Sequence, residues 1–126
     1  MDSPSHTVLV VDDDAAIRFL CRVNLELDGW TVHEAAAIEK ARELLGRAEV
    51  DIVLLDVHVG GESGLDLIAE IRKRRPGVPV VLLTGSVGSP GLEGVDADAV
   101  ISKPFTLDQL TGTLGGLVRR VAPEAG

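Results

Sequence analysis

The sequence predicts an α/β fold: a parallel sheet with helices on both faces. Three observations lead there. Short apolar runs at Thr7–Val11, Ile52–Leu55 and Val80–Leu83 lie between turn-forming residues, and runs of that length read as strands buried on both sides. Helical patterns separate the runs, and that alternation implies βαβ units. Each run also ends at a functional group: Asp12-Asp13-Asp14, then Asp56, then Thr84. A fourth, weaker run, Ala99–Ser102, ends in Lys103-Pro104.

Strands are expected at Thr7–Val11, Thr31–Glu34, Ile52–Leu55, Val80–Thr84 and Ala99–Ser102. The first helix, about Ala15–Asp28, places Ile17, Leu20, Cys21 and Leu25 on one face. The second, about Ile38–Ala48, repeats Ile38, Ala41, Leu44, Leu45 and Ala48. The third, about Gly64–Arg74, carries Leu65, Ile68 and Ile71 and stops before Pro76. The last, Leu107–Val121, opens with Thr106-Leu107-Asp108-Gln109, which fits a capping box. Gly85–Gly94 breaks the alternation with four glycines and a proline. Each interior Gly costs a helix about 1 kcal/mol relative to Ala, and Pro about 3 kcal/mol. The fourth helix of a regular alternation is therefore expected to be short or degraded. The tail from Ala122 reads as a frayed end or the start of a linker.

A chain of 126 residues suits one domain, taken as 1–126 with its core over about 7–121. A hydrophobic content of 45% argues for a folded globule. The net charge of −8, from 20 acidic and 12 basic residues, disfavours direct nucleic-acid binding. Cys21 has no partner for an internal disulfide and suggests a reducing compartment. No apolar stretch approaches a membrane span, and Met1–His6 lacks the features of a signal peptide. A cytoplasmic protein without a membrane partner is the expectation.

In an open parallel sheet, ligands sit outside the carboxyl ends of the strands. Carboxylates, a hydroxyl and an ammonium should therefore converge at one edge. Carboxylates attract a hard divalent cation, and a hydroxyl and ammonium suit phosphate oxygens. The pattern points to Mg²⁺-dependent phosphoryl chemistry on an aspartate. For the same residues the plainer readings are a solvated acidic loop or helix cap, a strand threonine and a surface lysine.

With these residues in view, the chain resembles the receiver domain of bacterial two-component response regulators. The pieces that carry the resemblance are Val8-Leu9-Val10-Val11-Asp12-Asp13, Asp56 with Gly64 eight residues on, Val81-Leu82-Leu83-Thr84, and Lys103-Pro104-Phe105. The match runs from about Thr7 to Val121. It implies a flavodoxin-like three-layer sandwich with strand order 2-1-3-4-5. It implies that Asp56 accepts a phosphoryl group from a histidine kinase or phosphotransfer protein. It implies that Asp12, Asp13, Asp56 and the backbone carbonyl of His58 hold Mg²⁺, and that Thr84 and Lys103 contact the phosphoryl oxygens. Such a protein is no enzyme beyond self-catalysed phosphotransfer and autodephosphorylation. Its output is a downstream protein target or a linked effector domain, and self-association as a homodimer is left open.

Several positions depart from that family. Val59-Gly60-Gly61 stands where Met-Pro usually begins, so a more flexible loop is expected. Val100 replaces the usual aromatic residue three before the lysine, and Gly85 a commoner alanine. With no ring to rotate, the response is expected as ordering or displacement of the segment around Val87–Val95. His58 and Ser86 occupy the family's positions that tune acyl-phosphate hydrolysis.

The remaining candidates are fewer. His58 could ligate through its ring, but its carbonyl is the favoured ligand, with the side chain outward. His6 and His33 have no ligand partner at useful spacing. Cys21 is expected as a buried, inert thiol. Phe19, with Val23 beside it, falls off the apolar face and is a candidate for kinase docking. Two rival functions are considered. Asp12-Asp13-Asp14 resembles the opening motif of haloacid-dehalogenase-type phosphatases, with Asp12 as nucleophile and Asp14 as acid/base, but that leaves Asp56 unexplained. The other rival is a receiver-like interaction module that signals without phosphorylation.

Overall fold

The computed structural model describes residues 6–85 and 96–121, with side chains as far as residue 118. Ser86, the segment Val87–Val95, the expected degraded helix and the tail beyond Val121 lie outside the described residues. The elements follow in the order β1 (Thr7–Val11), α1 (Ala15–Leu27), β2 (Thr31–Ala35), α2 (Ile38–Arg47), β3 (Ile52–Asp56), β4 (His58–Val59), β5 (Glu62–Ser63), α3 (Leu65–Arg74), β6 (Val80–Thr84), β7 (Ala99–Ser102) and α4 (Leu107–Val121).

β1, β2, β3, β6 and β7 form one parallel sheet in the order β2-β1-β3-β6-β7. With the small strands β4 and β5 set aside, this is the expected 2-1-3-4-5 order. The three central strands need apolar residues on both faces because helices cover both. Leu9, Val11, Val53, Leu55, Val80 and Leu82 pack with α2 and α3, through Ile38, Ala41, Leu44, Leu67, Ile68 and Ile71. Val8, Val10, Ile52, Leu54, Val81 and Leu83 pack with α1 and α4, through Cys21, Leu25, Leu110, Leu114 and Leu117. Burying each of the Val, Leu and Ile side chains among them stabilises the fold by about 1.5–3 kcal/mol relative to leaving it in water.

The helix ends follow local chemistry. Asp14 caps α1 by accepting from the Ala16 N–H at 2.9 Å. The capping box of α4 is reciprocal. Gln109 N–H donates to Thr106 Oγ1 at 3.0 Å, and Thr106 N–H donates to Gln109 Oε1 at 2.8 Å.

Three details differ from the sequence reading. Leu20 is 40% exposed, because the buried stripe of α1 runs along Ile17, Cys21 and Leu25 and Leu20 lies on its flank. Leu67 is fully buried, because α3 presents a wider face to the sheet than Leu65, Ile68 and Ile71 alone. Finally, residues 58–63, where a more flexible loop is expected, form an antiparallel hairpin, β4–β5. Its two-residue turn, Gly60-Gly61, has φ of +58° and +83°. Positive φ at both central positions is the turn whose twist matches a hairpin, and it selects glycine.

Candidate functional site at the carboxyl edge of the sheet

Strand register brings the predicted groups together. Val11 pairs with Leu55, Asp56 with Leu83, and Thr84 with Ser102. The residues at or just past these ends are Asp12, Asp56, Thr84 and Lys103. The Lys103 N–H extends the pattern by donating to the Thr84 carbonyl at 2.7 Å. Thr84 is buried, with 3% exposure.

Asp12 is fully buried, and each carboxylate oxygen has a donor. Oδ1 accepts from the Asp14 N–H at 2.9 Å and Oδ2 from Lys103 Nζ at 3.0 Å. The same ammonium stands 3.6 Å from Asp56 Oδ1. One positive charge thus lies between two carboxylates. Asp13 is exposed and takes the Gly60 N–H on Oδ2 at 2.9 Å. Asp12, Asp13 and Asp56 each offer a carboxylate oxygen such that all three lie within 4.8 Å of one another.

The electrostatics follow from that crowding. Burial, with the nearby Asp12 charge, raises the Asp56 carboxyl above its ordinary range, and Lys103 pulls it partly back. Burial acts to lower the Lys103 ammonium. Its hydrogen bond to Asp12 and the charges of Asp12 and Asp56 outweigh that, and its pKa is raised. A donor set made only of carboxylate oxygens, short of positive charge, fits a hard divalent cation.

His58 has an exposed side chain, so its ring points away from the core. Its backbone is more informative. The Gly64 N–H donates to the Val57 carbonyl, which makes Val57/Gly64 the hydrogen-bonded pair preceding His58↔Ser63. Pairs alternate along an antiparallel ladder, so His58↔Ser63 is the pair that exchanges no hydrogen bonds. The His58 carbonyl is therefore not consumed by the hairpin and remains available to a ligand.

Gly64 has a steric reason. A Cβ there would overlap the Asp56 backbone oxygen and crowd Leu55. The spacing of Asp56 and Gly64 thus records a close approach of the α3 start to the end of β3. Two contacts were not legible in the sequence. Arg18 donates from Nη1 to the Asp12 carbonyl at 2.8 Å and pairs with Glu34 at 3.1 Å, bracing the end of β1. The Gly60 N–H on Asp13 was also missed, although Gly-Gly between short alternating runs is a hairpin signal.

Asp14 does not join the cluster. Its carboxylate is engaged in capping α1, which leaves the phosphatase reading without its acid/base. Cys21 is buried, and burial pushes its thiol up to about 12. His6 lies against Trp30 with ring centroids 5.8 Å apart and 4.0 Å from Asp51, away from any ligand cluster among the described residues. No helix among the described residues is long and apolar enough to cross a membrane.

Comparison with known proteins identifies the family of the chain. The family model of the response regulator receiver domain matches residues 8–114. Response regulator MprA of a Mycobacterium species (strain KMS) is 34% identical over 122 residues, covering 94% of this chain and 53% of its own length. The phosphate regulon transcriptional regulatory protein PhoB of Pseudomonas aeruginosa is 33% identical over 123 residues, covering 93% of this chain and 53% of its own. The chain spans about half the length of the curated relatives it matches. Among solved structures, a CheY-like receiver domain protein of Methanospirillum hungatei superposes with a TM-score of 0.87 at 26% identity, covering 93% of this chain and 96% of its own. Response regulator TrrA of Thermotoga maritima, solved in complex with Mg²⁺ and BeF, gives a TM-score of 0.78 at 30% identity, covering 89% of this chain and 98% of its own. Sequence and fold therefore agree, and the chain belongs to the receiver domains of two-component response regulators.

Proposed function

We propose that this domain takes a phosphoryl group on Asp56 from a phosphohistidine donor and relays a signal by changing conformation. The observation that carries the reading is the convergence of Asp12, Asp13 and Asp56, within 4.8 Å by their ligand oxygens, with Lys103 between Asp12 and Asp56. Phosphoryl transfer is mostly positioning and charge stabilisation, and these residues supply both. Asp56 sits at the end of a rigid central strand, and one of its carboxylate oxygens attacks phosphorus as the P–N bond to the donor histidine breaks. Lys103 is close enough to follow the charge from carboxylate to phosphoryl oxygen. Thr84, one strand over, offers its hydroxyl to the same oxygens. Asp12, Asp13, Asp56 and the His58 carbonyl would hold Mg²⁺. When bound, it neutralises charge on the transferring group.

The partners proposed are a histidine kinase or phosphotransfer protein and a downstream target or effector. The MprA and PhoB relatives are about twice as long as this chain. Labelling by a small phosphodonor with Mg²⁺ tests the reading. Wild-type protein should take up one phosphoryl group per chain, and Asp56→Asn none. Equal, Mg²⁺-independent labelling of Asp56→Asn would overturn it.

A further inference from the structure

Gly60 stands where receiver domains usually carry proline, and it supplies what proline lacks: a backbone N–H. That N–H donates to Asp13 Oδ2 at 2.9 Å, and among the described residues it is the one hydrogen bond the Asp13 carboxylate receives. Asp13 is exposed, on the turn between β1 and α1. Without this bond its side chain would be free to rotate in water. We propose that Gly60 is a positioning residue for the cation site. Its amide fixes the Asp13 carboxylate and ties it to the hairpin that carries the His58 carbonyl, so that two ligand groups from distant parts of the chain move as one. The proposal rests on reading Asp13 and His58 as cation ligands.

The geometry explains why glycine is used. The amide reaches Asp13 with Gly60 at φ +58° and Gly61 at φ +83°. Space is not the constraint, since a Cβ on Gly60 would meet nothing within 4 Å. The backbone angle and the N–H are. Asparagine tolerates this left-handed region and keeps the N–H. Proline removes the N–H and holds φ near about −65°. A type II turn, with proline followed by Gly61 at positive φ, would still reverse the chain, but its twist splays the strands that the present turn holds together. Gly60→Pro therefore removes the tether and also loosens the hairpin, whereas Asp13→Ala removes the tether and leaves the turn untouched. Groups that orient metal ligands are worth about tenfold or more in metal affinity.

Calorimetric titration of the metal-free protein with Mg²⁺ tests this, beside amide NMR. Gly60→Pro should weaken Mg²⁺ binding by about tenfold, while Gly60→Asn, with the N–H kept, should bind as the wild type does. Gly60→Pro binding as tightly as wild type, with Asp13→Ala weakened, would overturn the positioning role alone. Undiminished binding by Asp13→Ala as well would overturn the ligand assignment beneath it. A second readout needs no change at Gly60. Before any Mg²⁺ is added, Asp13→Ala should move the Gly60 amide resonance and speed its hydrogen exchange. A Gly60 amide unaffected by Asp13→Ala would also overturn the proposal.

Discussion

Asp56 illustrates how much one position depends on its neighbours. Its carboxylate is partly buried beside fully buried Asp12, and that environment disfavours its charge. The folded-state pKa lies above the unfolded one, so stability falls as pH rises from the ordinary carboxylate range through the raised value. Asp56→Asn should therefore melt higher than wild type at neutral pH in chelator-treated buffer, and the gap should close in acid. Equal melting temperatures at neutral pH would contradict the electrostatic account. His58 is the opposite case. Its side chain is exposed, so substitutions there should alter the lifetime of the acyl phosphate while leaving the melting temperature nearly unchanged, within about 0.5 kcal/mol of stability. Several His58 variants with unmoved decay rates would count against its place beside the acceptor. The Cys21 thiol, pushed up to about 12 by burial, should resist alkylation at pH 8 until the protein is unfolded.

At the scale of elements, period and punctuation made most of the fold legible. β1, β6, β7 and α4 have the limits the sequence reading assigns them, because apolar runs and a capping box mark their ends. Thr106→Ala should cost about 1 kcal/mol, measured by denaturant unfolding, since it removes the acceptor for the Gln109 N–H. The β4–β5 hairpin was less legible. Its strands have only two residues each, too few for a periodicity signal, and Gly-Gly alone fits a flexible loop as well as a tight turn. Leu20 and Leu67 show the limit of a helical wheel: it gives direction, while the width of the buried stripe depends on what the helix packs against. Gly64 was legible as part of a motif, but its cause, the Asp56 carbonyl pressed against it, needed coordinates. Gly64→Ala should force β3 and α3 apart at the acceptor, lowering both stability and phosphoryl uptake.

For the whole molecule, the site was legible because topology, rather than local sequence, assembles it. Asp12 and Lys103 are 91 positions apart and meet at 3.0 Å because parallel strands all end at one edge. The faces away from that edge are where partners would meet the domain. Phe19, Val23 and Leu27 lie along one exposed side of α1, with Phe19 60% exposed. Phe19→Ala should slow transfer from a cognate kinase while leaving uptake from a small phosphodonor unchanged. Equal loss in both assays would place Phe19 in the site's structure rather than at a docking surface. Position 100 on β7 is a valine, 52% exposed, and offers no aromatic ring to turn. The proposed route of the response is therefore the segment around Val87–Val95, and hydrogen exchange with and without a phosphoryl mimic should change there more than on β7.

The central claim is that Asp56 is the phosphoryl acceptor, and mapping the modified residue tests it most directly. Wild-type protein would be labelled with a small phosphodonor and Mg²⁺, reduced with borohydride to convert the acyl phosphate to a stable alcohol, and sequenced by peptide mass spectrometry. The account predicts homoserine at Asp56, with Asp12 and Asp13 intact. Reduction product at Asp12, or no acyl phosphate on any of the three, would contradict it.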